Sequence, residues 1–279
     1  MNYKLACADF TFPLLDHEGV FDLIKLLGVE GIDIALFSGR SHLQPEDVIG
    51  NIPRSARELS EKVRGRGLKF ADMFFQGGTG FEELAPNHPE EGQRRKARDL
   101  FSRMLEFTVA CEAPHMSGLP GVPWEGESEN DSLKRCAEEL AWRVEQANSA
   151  GVIFSVEAHI GSIVPTPQAA LELVNMTPGL TLTLDYTHFT KEGMPDSAVE
   201  PLVAHASHFH VRGAREGRLQ APFTENTVDY GRVMEAMDET AYGGFLGLEY
   251  VWIDWEHCNE CDNLSETIQF RDFLREKMS

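Results

Sequence analysis

Four ionisable residues in the second half of the chain each end a short apolar, β-like run. Glu157 ends VIFSVE, Asp185 ends LTLTLD, His210 ends SHFH and Glu249 ends FLGLE. A carboxylate that ends a buried strand needs a partner, because an unpaired buried charge is costly. Three carboxylates and one imidazole form an oxygen-rich ligand set, which favours Mn²⁺, Mg²⁺ or Co²⁺ over a thiolate-preferring metal. The alternative is that Glu157 and Glu249 form salt bridges with Arg212.

The spacing of these four residues predicts where they meet. Successive members are 28, 25 and 39 residues apart, and one strand, one helix and two loops take roughly 30 residues in a (β/α)₈ barrel. Side chains at the carboxyl ends of successive parallel strands converge at one mouth of such a barrel, where active sites are built. We therefore predict an enzyme with one divalent metal ion, and we expect Mn²⁺, with Mg²⁺ or Co²⁺ as alternatives.

Strand-like and helix-like segments alternate along the whole chain. Apolar runs begin near positions 3, 31, 68, 113, 152, 180, 207 and 245, and near-continuous apolar runs are typical of parallel strands covered on both faces. The intervening helices carry capping signals: we predict N-caps at Asp16, Asp131 and Thr166, and a stop at Gly28. Because no linker interrupts the pattern, we predict an α/β fold with a single (β/α)₈ TIM barrel over residues 1–279.

The composition excludes several classes of protein. The formal net charge of −20 works against binding a polyanion such as nucleic acid. No run of about 18 apolar residues is present to span a membrane, and no apolar signal segment precedes Asp9. Five cysteines make no disulfide framework, and the lone CxxC of Cys258 and Cys261 lacks a second pair for zinc. We expect a cytoplasmic protein with no nucleic-acid or membrane partner. Assembly into a homo-oligomer is possible.

Further side chains near the predicted metal site could contact a substrate. His188, in the loop expected after the sixth strand, could touch the substrate or add a metal ligand, although a lone histidine is commonly a surface or capping residue. His159, after the fifth strand, either contacts the substrate or anchors its loop through a backbone hydrogen bond. Arg212 lies two residues after His210 and so faces the same side of its strand, where it could hold a substrate oxygen.

Two long loops rich in glycine and proline follow the third and fourth predicted strands. They read QGGTGFEELAPNHP and GLPGVPWEGESEN, and both fall on the side of the barrel where active-site loops lie. Trp124, Phe81 and Phe75 could form the wall or cover of a substrate pocket. Alternatively, these aromatic side chains only pack the loops down.

The segments EAHIGS, LDYTH, HFHVRGA and GLEYVW, in this order between residues 157 and 252, resemble the xylose isomerase-like TIM-barrel family of sugar isomerases and epimerases. The resemblance implies that Glu157 and Glu249 move protons between neighbouring carbons of a ketose or related keto-sugar through an enediolate. It implies that His188 and Arg212 contact substrate oxygens. It also implies one divalent ion held by four residues: Glu157, Asp185, His210 and Glu249.

Other functions stay open or are disfavoured. A lyase or dehydratase acting on a keto-sugar or keto-cyclitol, as in the inosose dehydratase branch, would use the same site, with His159 or His115 as an extra acid. An abasic-site endonuclease is disfavoured, because ALFSG, MFFQGG and APFTENT lack the histidines of a three-metal cluster. A barrel that only binds a sugar or a protein is disfavoured by the intact ligand set. No glycine motif for phosphate stands out, so we expect an unphosphorylated substrate.

Overall fold

Eight parallel strands form one closed barrel in the order of the sequence in the computed structural model, which describes residues 3–278. β1 and β8 close the ring, where Lys4 pairs with Phe245 and Cys7 with Leu248. The predicted (β/α)₈ architecture is therefore confirmed; residues 1, 2 and 279 of the predicted domain lie outside the described part. The strands are β1 (Lys4–Ala8), β2 (Gly31–Phe37), β3 (Lys69–Gln76), β4 (His115–Gly118), β5 (Ile153–Glu157), β6 (Thr181–Asp185), β7 (Ala206–Val211) and β8 (Phe245–Leu248).

Helices surround the barrel and connect successive strands. The outward strand residues and the inner helix faces form one main hydrophobic core. No helix within residues 3–278 is both long and apolar enough to cross a membrane. The α-helices are α1 (His17–Leu27), α2 (Pro45–Ile49), α3 (Ile52–Gly65), α4 (Glu91–Ala110), α5 (Glu129–Ser149), α6 (Pro167–Met176), α7 (Thr187–Lys191), α8 (Asp196–Val199), α9 (Tyr230–Glu239) and α10 (Asn263–Met278).

Most of the predicted helix boundaries follow their capping residues. The side chains of Asp16 and Thr166 accept hydrogen bonds from first-turn amides at 2.7 and 3.2 Å, and Gly28 ends α1 in the left-handed region at φ +73°. The predicted cap at Asp131 is wrong. Ser128 caps α5, and its hydroxyl accepts a hydrogen bond from the Asp131 amide at 3.1 Å, because a short hydroxyl reaches the third helical amide.

The interior of the barrel is polar, which the apolar appearance of the strands did not predict. Ser117, Ser155 and Thr183 point inward from three neighbouring strands, and their hydroxyls lie 2.5–3.0 Å apart. All three are buried, and each hydroxyl has partners within the trio, as buried polar groups require. β6 shows the reason: its inward positions carry polar side chains, while its outward leucines pack on the helices.

Two buried histidine–carboxylate pairs complete the polar interior. His115 Nδ1 lies 2.6 Å from Asp72 Oδ1, and His208 Nε2 lies 3.1 Å from Asp33 Oδ2. Gly247 in β8 leaves room for the second pair, because a Cβ at this position would lie 2.1 Å from Asp33 Oδ2 and 3.0 Å from His208 Nε2. The glycine is therefore required by the close approach of these side chains.

Candidate metal and substrate site

The four predicted metal ligands all lie at the carboxyl-terminal mouth of the barrel. Glu157 and Asp185 end β5 and β6, His210 is the penultimate residue of β7, and Glu249 directly follows β8. All four are buried. His210 Nδ1 lies 2.6 Å from Glu157 Oε1 and 3.6 Å from Glu249 Oε2. The imidazole thus lies between Glu157 and Glu249, the two glutamates that were predicted to bind the metal.

Asp185 belongs to the same mouth but is held by a different cation. Its Oδ2 accepts a hydrogen bond from Arg212 Nη2 at 2.8 Å, and its Oδ1 accepts from the backbone nitrogen and the hydroxyl of Thr187 at 2.9 and 2.6 Å. Arg212 Nη2 also lies 3.5 Å from Glu249 Oε2. Of the two glutamates that the alternative interpretation paired with Arg212, Glu249 contacts it and Glu157 instead contacts His210.

His188 lies in the same group of side chains. It is carried by α7, a short helix where the sequence suggested a loop. Its Nε2 is 3.6 Å from Asp185 Oδ2 and 4.0 Å from Glu157 Oε2. The backbone nitrogen of Ile160 donates to His188 Nδ1 at 3.4 Å, so this side chain is buried and oriented from the β5 loop as well.

These donors satisfy the spacing of a cation site. The ligand atoms of Glu157, His210 and Glu249 lie within 4.8 Å of one another, and so do those of Glu157, Asp185 and His188. Opposite ligands of an ion with bonds of about 2.1 Å lie roughly 4.2 Å apart. Glu249 Oε2 is also buried without a hydrogen-bond partner among residues 3–278. Carboxylates, an imidazole and an unpartnered buried carboxylate oxygen together fit a divalent ion.

The charges at the site are strongly coupled. Burial raises the pKa of Glu249 to about 7, and the positive charges of His210 and Arg212 only partly oppose this. Burial alone would lower the pKa of His210, but the charges of Glu249 and Glu157 raise it to about 10. Burial would raise the pKa of Glu157, but His210 holds it below its usual value. Burial lowers the pKa of His188 to about 4. His210 is thus the imidazole that balances the carboxylates, and His188 is neutral.

Both interpretations of His159 are compatible with its surroundings. Its Nδ1 lies 2.7 Å from the carbonyl oxygen of Ile160, which is the loop-anchoring bond expected from the sequence. Its Nε2 is buried and has no partner among the described residues, and its ring lies 4.9 Å from Phe81 and 5.9 Å from His188. Because the Nδ1–H donates to the carbonyl, Nε2 is left as an acceptor beside the cavity.

A cavity of about 200 Å³ opens above the carboxylates. Phe81 contributes to its wall, as one sequence interpretation suggested, whereas Phe75 is part of the main core. The structure does not bring Trp124 to this cavity, and its ring packs edge-on against His88 at 4.6 Å. The apolar lining comes from several elements: Phe10, Pro13, Phe37, Phe74, Phe81, Leu119, Val251, Ile253 and Trp255.

Sequence reasoning missed four polar residues at this cavity: Arg40, Ser41, His42 and Gln76. Arg40 and His42 lie in the loop after β2, and Gln76 is the last residue of β3. The ring of His42 stacks on that of His17 at 5.0 Å. No motif marks these residues, and the one available signal is their place after strand ends on the active-site side of the barrel.

The family model described as the xylose isomerase-like TIM barrel matches residues 21–277 of this chain. The chain belongs to the xylose isomerase-like TIM-barrel family. The family therefore agrees with the resemblance seen in the strand-end motifs, and the match extends that resemblance into the amino-terminal half. No curated protein sequence matches the chain significantly.

Several solved structures are similar to this chain over almost its whole length. An L-ribulose 3-epimerase has 15% identity and a TM-score of 0.78, and the alignment covers 99% of this chain and 94% of that one. A D-tagatose 3-epimerase-like protein has 18% identity and a TM-score of 0.77, with 99% and 97% covered. A probable 3-DHS dehydratase from Bacillus anthracis has 14% identity and a TM-score of 0.72, with 98% of each chain covered. At these identities the likeness establishes the fold.

Proposed function

We propose that this protein is a divalent-metal-dependent isomerase or epimerase that acts on a ketose or related keto-sugar. The observation that carries the proposal is the convergence of Glu157, His210 and Glu249, whose ligand atoms lie within 4.8 Å of one another at the floor of a small cavity. Two carboxylates placed around one substrate position are the groups that a proton transfer next to a carbonyl requires. The epimerases among the similar structures support this class of reaction.

The metal ligands that we propose are Glu157, Asp185, His210 and Glu249, and the ion that suits them is Mn²⁺, with Mg²⁺ or Co²⁺ as alternatives. When bound, such an ion acts as a Lewis acid that stabilises negative charge on a substrate oxygen. His188 lies close enough to Asp185 and Glu157 to add a ligand or to hold a substrate oxygen. All three ions accept oxygen-rich ligands, so the ligands at the remaining coordination positions would determine which ion binds.

The protein's own residues supply the proton transfers. One of the two glutamates, Glu157 or Glu249, removes a proton from the carbon beside the carbonyl. If the other returns a proton to the opposite face of the same carbon, the product is an epimer; if a proton returns to the neighbouring carbon, the product is an isomer. Arg212 and His188 hold substrate oxygens in register with the two carboxylates, and the aromatic walls exclude water.

A second candidate function is a lyase or dehydratase on a keto-sugar or keto-cyclitol. The observation that favours it is the unpartnered Nε2 of His159, buried 5.9 Å (ring to ring) from His188. This Nε2 could accept a proton from the substrate and return it to a departing β-hydroxyl group, which leaves as water. His115, the other candidate for this role, is bound to Asp72 and Ser207 inside the barrel and does not line the cavity. His159 is therefore the stronger choice.

Incubation of the Mn²⁺-loaded protein with ketoses and keto-cyclitols in D₂O tests both candidates. Deuterium incorporation beside the carbonyl with conservation of the carbon skeleton and its oxygens supports the isomerase, whereas a dehydrated product supports the lyase. Glu249→Gln provides the matched variant, because it removes the acid–base group while keeping an oxygen of similar size. Absence of both exchange and dehydration across the panel, in protein shown to contain metal, would reject the proposed function.

A further inference from the structure

Arg40 is a cation at the cavity that forms no direct ion pair among residues 3–278, although the charges of Glu249 and Glu157 attract it across the cavity. Its guanidinium carbon lies 4.6 Å above the ring of Phe37, and its Nη2 donates to the Oε1 of Gln76. It forms no ion pair with any carboxylate of residues 3–278, whereas Arg212, the other arginine of this cavity, is paired with Asp185 at 2.8 Å. The direct contacts that hold Arg40 in place are thus with neutral groups.

The neutral partners orient Arg40 without satisfying it. An aromatic face and a single amide oxygen fix the plane of the guanidinium, while most of its five N–H donors stay available. The Gln76 side-chain nitrogen donates to no acceptor among the described residues, and Gln76 itself is buried. A planar, oriented guanidinium with a neighbouring amide donor is the arrangement that binds a carboxylate through two hydrogen bonds.

The charges of the loaded site leave a place for one anion. Glu157, Asp185 and Glu249 would be ionised around a divalent ion, since ligands bind metals in their deprotonated form. Two guanidiniums, Arg40 and Arg212, and a divalent ion together exceed by one positive charge the three carboxylates at the cavity, while the buried Asp33 contacts His208 instead. A substrate with one negative charge would offset this excess on binding, whereas a neutral sugar would offset it only when negative charge develops on its enediolate oxygen.

We propose that Arg40, assisted by the amide of Gln76, binds a carboxylate of the substrate, so that the substrate is a keto-acid of the sugar series. This inference rests on the proposed function, because it takes the substrate carbonyl to lie at the carboxylate cluster. The subsite lies at the mouth of the cavity, where Arg40 is exposed, while the reacting carbons lie at the buried floor near Glu157.

A carboxylate fits this subsite better than a phosphate. Phosphate sites commonly gather several backbone amides at a helix start or glycine loop. Here the nearby donors are already used: the Gly39 amide donates to Gln44 Oε1, and the Ser41 hydroxyl has two carbonyl acceptors, those of Phe37 and Leu43, for its one hydrogen. One guanidinium and one amide nitrogen match the two oxygens of a carboxylate.

The net charge of −20 does not prevent an anion from binding here. Interactions of exposed charges are screened over about 8 Å at physiological ionic strength. The groups around Arg40 therefore determine whether the site prefers an anionic to a neutral ligand. The acidic surface only slows the approach of an anion. It follows that added salt should weaken the preference for an acid.

Calorimetric titration of the Mn²⁺-loaded protein tests the subsite with matched ligands. D-fructose is compared with 2-keto-D-gluconate, which carries a carboxylate at C1, and with D-fructuronate, which carries it at C6. We expect at least one acid to bind tenfold or more tightly than D-fructose, because charge-assisted hydrogen bonds are stronger than neutral ones. Arg40→Gln should remove that preference. Arg54→Gln, a change at an exposed arginine of α3 paired with Glu58, should retain it.

Several results would overturn the carboxylate subsite. These are equal binding of D-fructose and both acids, an acid preference that survives Arg40→Gln, no measurable binding of any of the three ligands, or tighter binding of D-fructose 1-phosphate or 6-phosphate than of the acids. Failure of the subsite is distinguishable from failure of the proposed function. Metal-dependent deuterium exchange into D-fructose without an acid preference rejects the subsite alone, whereas Arg40-dependent acid binding without exchange into any ligand rejects the proposed function alone.

Discussion

Metal binding at this site should depend strongly on pH, because two of the proposed ligands hold protons in the metal-free protein. The pKa of His210 is about 10, where the charges of Glu249 and Glu157 outweigh burial, and burial raises the pKa of Glu249 to about 7. A ligand must lose its proton to bind a cation, so binding releases protons and affinity rises with pH. Below pH 7 about two protons should be released per ion, and between pH 7 and pH 10 about one.

The expected magnitude follows from these two pKa values. Between pH 6 and pH 8, His210 stays protonated in the free protein and contributes about a 100-fold change in affinity. Glu249 passes through its pKa and contributes about tenfold. The apparent dissociation constant of Mn²⁺ should therefore fall by about 1,000-fold over this range. In Glu249→Gln the fall should be about 100-fold or less, because one of the two titrating groups is gone and the pKa of His210 loses the charge that contributes most to raising it.

Calorimetry with a competing chelator measures these affinities, and repeating it in buffers of different ionisation enthalpy counts the protons released. Glu145→Gln, a change at an exposed glutamate of α5, is the matched control and should behave like the wild-type protein. A change of less than tenfold between pH 6 and pH 8 would refute the reasoning. So would an identical pH dependence for the wild-type protein and Glu249→Gln.

Four further outcomes follow from particular contacts. Asp33→Asn should weaken Mn²⁺ binding by about 10–100-fold in calorimetry, because Asp33 lies beside His210 and could accept its second N–H; Asp72→Asn should leave the affinity unchanged. Glu157→Gln should reduce deuterium exchange into the substrate by about 10²–10⁴-fold while the protein stays folded by circular dichroism. Gly247→Ala should lower the free energy of unfolding by about 1–3 kcal/mol in urea, because its Cβ would lie 2.1 Å from Asp33 Oδ2. Ser128→Ala should lower it by about 1 kcal/mol through loss of the α5 cap.

The barrel and the position of its site could be predicted because both follow from local patterns. Strand-like runs at regular spacing are sufficient for a (β/α)₈ barrel, and parallel strands bring their carboxyl ends to one mouth. Glu157, Asp185, His210 and Glu249 end such runs, so their meeting follows from topology alone. His188 could be placed near them for the same reason, although the short helix that carries it could not.

The polar interior and the cavity wall could not be predicted from the same patterns. The inward polar positions of β6, Thr181 and Thr183, were visible as an alternation in LTLTLD, but an apolar barrel core was the stronger expectation. Arg40 lies in the loop after β2 and Gln76 ends β3, and their side chains form a hydrogen bond. Their contact depends on loop conformation, which neither residue spacing nor residue type determines.

An anomalous difference map from crystals grown with Mn²⁺ tests the proposed metal-dependent site most directly. We predict one strong peak at the mouth of the barrel, bounded by carboxylate oxygens of Glu157, Asp185 and Glu249 and by a ring nitrogen of His210. Absence of a peak at this mouth in Mn²⁺-saturated crystals would contradict the proposed site. A single peak elsewhere, for example between His208 and Asp33, would contradict it equally.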